Sequence, residues 1–146
     1  MEIVTHRFGR IVFDAEDVIC FPAGLLGLEQ CRKWILLADA NNSTIAWLQN
    51  VEQPEIALAT VSPRRFVPDY RMRVARQELA SLKLRDVREA QVLVVVGKTE
   101  RALTMNLKAP VVLNLQQRLG RQVITNGDLP VQHELADGPA ALRKTA

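Results

Sequence analysis

Thr104-Met105-Asn106-Leu107-Lys108-Ala109-Pro110-Val111-Val112-Leu113-Asn114 begins as an alternating segment, Thr104, Asn106 and Lys108 on one side and Leu103, Met105, Leu107 and Ala109 on the other. A period of two is the pattern of a half-buried strand. Pro110 then removes a backbone donor and biases Ala109 away from helix, so the ladder breaks, bulges or runs along a sheet edge there. The apolar run 111–113 resumes at once. Two readings follow: a strand entering a bend of a closed sheet, which periodicity alone favours, and an interrupted edge where a partner strand docks.

The neighbours of this stretch extend the same theme. Residues 91–97 form the most hydrophobic run in the chain and read as a central strand buried on both faces. Residues 98–101 read as a hairpin turn leading into the stretch. Beyond it, 116–119 reads as one helical turn broken by Gly120, 122–125 as a strand, Asn126-Gly127-Asp128 as a hairpin turn, and 131–135 as a last strand. Toward the amino terminus, short apolar runs at 3–5, 10–13, 18–21, 33–38, 44–49 and 56–61 alternate with turn residues. Residues 76–83 are the best helix candidate, with Leu79 and Leu82 three apart; so short a helix must be held by packing. The fold expected is mainly β: a small antiparallel β-barrel-like domain over 1–135 with one or two short helices. Residues 136–146, small, polar and proline-containing, are expected to be a flexible tail.

Size and composition agree with that. The 146 residues suit one domain with one sizeable core, and 48% hydrophobic with 24% charged residues excludes disorder for the bulk of the chain. A net charge of +3 is too mild for a concentrated phosphate-binding patch. No apolar run approaches a membrane span. The amino terminus lacks the basic region, apolar core and cleavage site of a signal peptide, so the cytoplasm is the compartment expected.

No catalytic constellation assembles. Cys20 and Cys31 are far from metal-ligand spacing and read as reduced, buried small hydrophobes. His6 and His133 stand at opposite ends of the chain, and pairing of the end strands would still leave them without a third ligand. Asp14, Glu16 and Asp17 lack the spacing and glycine of a calcium loop. Gly24-Leu25-Leu26-Gly27 lacks the spacing of a nucleotide loop and a helix to follow it. No cofactor and no metal are expected. Two loops stand out instead: 23–29, whose two glycines permit positive φ while its three leucines exceed what a tight turn can bury, and 64–70, a proline-constrained segment carrying Phe66 and Tyr70. Seven arginines between 64 and 88 raise the alternative of an RNA-binding β-barrel, although Asp69, Glu78, Asp86 and Glu89 dilute the field.

Taken together, Phe21-Pro22-Ala23-Gly24-Leu25-Leu26-Gly27-Leu28-Glu29, Leu48-Gln49-Asn50-Val51-Glu52-Gln53-Pro54 with 56–63, Phe66-Val67-Pro68-Asp69-Tyr70, 104–114 and Gly120-Arg121-Gln122-Val123-Ile124 resemble the FliW family of bacterial flagellar assembly factors. The resemblance implies a cytoplasmic, non-enzymatic protein, monomeric when free, with two partners: flagellin, and the translational regulator CsrA, which it binds when free of flagellin. It implies no membrane and no direct nucleic-acid contact. The partner-binding candidates are Leu25, Leu26 and Leu28 of the glycine loop, Phe66 and Tyr70 of the rigid loop, and Asn106 and Lys108 of the opening stretch. For the leucines and Phe66 the competing role is core closure of a barrel end; for Asn106 it is a side-chain bond capping the Pro110 bulge. If Leu25 belongs to the surface, Leu25→Asp should abolish binding and leave the melting transition nearly unchanged. The alanine-rich tail with Arg143 and Lys144 and the arginine-dense middle depart from what the family leads one to expect.

Overall fold

A computed structural model describes residues 1–135; the tail expected at 136–146 lies outside the described residues. The chain is mainly β. Its strands are β1 (Glu2–Thr5), β2 (Gly9–Val12), β3 (Val18–Cys20), β4 (Lys33–Ala38), β5 (Ala46–Asn50), β6 (Ala57–Val61), β7 (Gln91–Lys98), β8 (Leu103–Met105), β9 (Val111–Asn114), β10 (Leu119–Gln122) and β11 (His133–Glu134). Strands β1 and β2 form a separate hairpin. From β3 to β7 the chain meanders antiparallel, and β9 and β10 close the ring, because β9 pairs with β7 and β10 with both β9 and β3. Among the described residues the one parallel pairing is β3 with β10, at Leu119 and Cys20.

Closure depends on the stretch around Pro110. Strands β8 and β9 lie along the same edge of β7, Val96 facing Met105 and Leu93 facing Val111. Three steps along β7 therefore correspond to six along its partner, so the partner holds three extra residues. The excursion is built by Asn106, whose Oδ1 accepts from the N–H of Lys108 (3.2 Å) and of Ala109 (3.0 Å), before Pro110 ends the local donors. Leu107 and Ala109 turn inward and are buried. The bend in a closed sheet is thus the reading realised here.

Apolar side chains sort onto two sides of the ring. Ile19, Phe21, Trp34, Leu48, Val111 and Leu113 fill one core cluster. Val112, facing the other way, packs with Leu82 and Val123 beneath a strap formed by residues 62–90. The strap carries α1 (Arg76–Leu79), followed by a 3-10 turn, Ala80–Leu82, with Lys83 left-handed at φ 54°. Leu79 and Leu82 hold this short helix to the barrel, as its length demands.

Four expectations need correction. β7 is central by pairing, with β6 on one edge and both β8 and β9 on the other, yet only Val94 is fully buried. Gly120 does not break a helical turn; it lies inside β10, opposite Leu113. That strand therefore ends at Gln122 rather than starting there. The Asn126-Gly127-Asp128 turn does not join a hairpin, since β11 pairs with β8 and not with β10, and β11 is only two residues long. β1 pairs with β2 alone, so strand pairing does not place His6 beside His133.

Candidate partner-binding groove

The 23–29 loop is shaped by its glycines. Gly24 has φ +66° and Gly27 φ +81°, and a Cβ at Gly24 would lie 2.4 Å from the Glu29 carbonyl oxygen. The loop closes on itself through a Leu25–Leu28 bridge, the Leu28 N–H donating to the Leu25 carbonyl at 2.8 Å. This geometry splits the leucines. Leu25 is 3% exposed and belongs to the barrel core, whereas Leu26 is 56% exposed and Leu28 is half-buried. The Leu26 N–H donates to Gln122 Oε1 at 2.8 Å, and Gln122 Nε2 donates to the Ala109 carbonyl at 2.9 Å. Gln122 thereby ties the glycine loop to the Pro110 excursion.

Between these elements lies a groove of about 310 Å³. Leu25, Leu26 and Leu28 form one wall, and Leu58 and Val95 contribute apolar surface from β6 and β7. Asn106, Gln122 and Gln132 supply amides, and Val131 is 58% exposed. Among the described residues no ionisable side chain lines the groove. Thr104 brings a hydroxyl to the lining. The groove offers aliphatic contact with a few amides, which is what a peptide segment with an apolar face requires.

The structure brings four of the seven candidate residues together: Leu25, Leu26, Leu28 and Asn106. Leu25 contributes only the edge of a buried side chain. Asn106 is half-buried and at the same time makes the capping bonds of the excursion. Lys108 lies outside the groove lining; its Nζ donates to the Gly127 carbonyl at 2.6 Å. Phe66 is half-buried against the cluster that contains Val61 and Val94. Tyr70 is 4% exposed and donates its hydroxyl to the Leu107 carbonyl at 2.8 Å. Burial pushes its pKa up to about 12. Tyr70 contributes instead to a second groove on the strap, with Arg64, Met72 and Val87. Gln122, Val131 and Val95 escaped the sequence reading, since no periodicity signals that three distant segments share one depression.

Elsewhere, Trp47 stacks under Arg7, whose Cζ is 4.4 Å from the ring centroid, and meets Phe8 edge-on. Its indole N–H donates to Asp39 Oδ1 at 3.0 Å. That bond chiefly holds the Asp39 carboxyl below its usual range, helped by the Asn41 and Asn42 N–H groups and Arg7. These contacts fasten the β1–β2 hairpin to the barrel. Among the described residues no group of three His, Cys, Asp or Glu side chains is placed to hold a metal ion, and no Phe, Trp or Tyr is exposed. Among the described residues no helix is long and apolar enough to cross a membrane.

A seven-stranded closed barrel with an uncharged, mainly aliphatic groove defines a small β-barrel protein. Residues 2–135 match the family model described as FliW protein, and the chain belongs to the FliW family. It is 37% identical to the flagellar assembly factor FliW of Bdellovibrio bacteriovorus, over 92% of this chain and 79% of that protein. It is 32% identical to the flagellar assembly factor FliW of Natranaerobius thermophilus, over 92% of each. A solved structure described as the crystal structure of the flagellar assembly factor FliW superposes with a TM-score of 0.85 at 26% identity, covering 92% of this chain and 96% of that one.

Proposed function

We propose that this flagellar assembly factor is a cytoplasmic, non-enzymatic binding protein, a monomer when free, that holds a terminal segment of flagellin in the groove between the glycine loop and the Pro110 excursion. The observation that carries the reading is the make-up of that groove: an exposed Leu26 among aliphatic side chains and neutral amides, with no ionisable group from the described residues in the lining. Amphipathic flagellin termini are sticky until assembled, and a receptor of this kind covers their apolar side.

When free of flagellin, the protein binds the translational regulator CsrA and relieves repression of flagellin messages. If the two partners exclude one another, each lowers the apparent affinity for the other by the same coupling free energy. The factor then reports unexported flagellin. A protein that mimicked RNA on a cationic regulator should be acidic, and this chain carries a net +3. CsrA is therefore engaged beside its RNA site. The alternative of direct RNA binding finds no exposed Phe, Trp or Tyr among the described residues on which bases could stack.

The test is a three-component titration with purified flagellin, CsrA and this protein. Flagellin should displace CsrA reciprocally, while saturating RNA should fail to displace this protein by simple competition. A stable ternary complex with flagellin, or full competition by RNA, would refute the respective half of the reading.

A further inference from the structure

We infer that the strap carries a second docking surface, distinct from the flagellin groove, which receives an acidic amphipathic protein segment. Its floor is a groove of about 380 Å³ lined by Pro63, Met72, Val87 and Val92, with Arg64 and Arg88 among its lining residues. It shares no lining residue with the groove beside the glycine loop.

Charge argues for the occupant. Residues 62–90 hold eight Lys or Arg against four Asp or Glu, whereas the rest of the chain holds eleven against twelve. The basic excess of the protein thus lies on the strap. Arg65, Arg71, Arg73 and Arg76 are exposed, and among the described residues their guanidinium groups have no ion-pair partner. Arg64 donates its Nε to the Tyr70 carbonyl at 3.0 Å, which fixes the side chain with its terminal nitrogens uncommitted. Along 71–74 the burial alternates: Met72 and Val74 pack inward, and Arg71 and Arg73 face water. Arg64 and Arg88 at the groove, with four further exposed arginines on the same strap, are complementary to carboxylates flanking an apolar stripe.

Val87 supports the apolar half. It is 64% exposed, yet it sits in a 3-10 turn pinned by the Asp86–Glu89 capping box and by the Arg88–Asp86 pair at 2.9 Å. A preorganised aliphatic side chain in solvent is an anchor awaiting a partner surface. A nucleic acid is disfavoured because the groove's one aromatic, Tyr70, is buried with its hydroxyl bonded.

The probe is a labelled synthetic peptide with leucines at helical spacing flanked by glutamates, titrated by fluorescence anisotropy into the full chain. Its Lys-for-Glu counterpart and an oligo-uridine serve as comparators. The acidic peptide should bind, more weakly as salt rises. Val87→Asp should weaken it about tenfold or more with the melting temperature unchanged, Arg71→Glu with Arg73→Glu should do likewise, and Leu26→Asp should have no effect. Absence of acidic-peptide binding, indifference to Val87→Asp, or equally tight oligo-uridine binding sensitive to the same changes would overturn the inference. None of these outcomes bears on the flagellin groove.

Discussion

The ring of Phe21 lies against the backbone of Gly120, so that a Cβ built at Gly120 would stand 2.3 Å from Phe21 Cζ. Phe21 is fully buried, and its ring also meets Trp34 edge-on with centroids 6.4 Å apart. Gly120→Ala should therefore destabilise the fold by about 1–3 kcal/mol, the usual cost of overpacking. Chemical denaturation measures it, and a Gly120→Ala protein as stable as its parent would show that the ring has room to move.

Tyr70 locks the strap to the Pro110 excursion through the Leu107 carbonyl. Its phenol titrates at about 12 in the folded chain, raised by burial from 10. The folded state thus retains a proton that the unfolded chain gives up first. The corresponding stability is fully present below pH 10 and is lost as pH rises toward 12. The whole effect is on the order of 2–3 kcal/mol. Denaturation at stepped alkaline pH should show this decline in the parent, and Tyr70→Phe should remove it while costing about 1–2 kcal/mol at neutral pH for the lost bond.

Asn106 serves the fold through its acceptor oxygen alone, which takes two backbone N–H groups. Asn106→Ala should cost about 1–2 kcal/mol. Asn106→Asp keeps the acceptor and should restore most of that stability. Failure of the aspartate to rescue would mean that the side-chain amide N–H, rather than the oxygen, matters.

Leu25 and Leu26 are adjacent, identical in type and opposite in role. Leu25→Ala should lose about 2–5 kcal/mol as a core truncation, whereas Leu26→Asp, on a side chain 56% exposed, should leave the melting temperature nearly unchanged. The pair of thermal melts decides between the two roles, and equal losses would contradict the loop geometry described above.

How much of this was legible in the sequence follows from which interactions are local. The interrupted alternation at 104–114 disclosed both the bulge and the reason for it, because Asn106 and Pro110 act on backbone groups a few residues away. The glycines of the 23–29 loop likewise announced an unusual backbone. Periodicity does not say which of two neighbouring leucines faces inward, since that depends on where Phe21 and Trp34 lie. Gly120 looked like a breaker because its lack of a side chain is ordinarily a matter of backbone freedom; here it makes space for an aromatic ring about a hundred residues away in sequence. Tyr70 looked like a surface aromatic of a rigid loop and became an interior hydrogen-bond donor, because its partner carbonyl at Leu107 belongs to an excursion whose position only the closed sheet defines.

The most direct test of the proposed groove is calorimetric titration of flagellin's terminal segment into the parent protein and into Leu26→Asp, with melting curves recorded on the same samples. The groove predicts binding by the parent and a loss of at least about tenfold in Leu26→Asp, roughly 1.4 kcal/mol or more, at matched thermal stability. Undiminished binding by Leu26→Asp, or none by the parent, would contradict it.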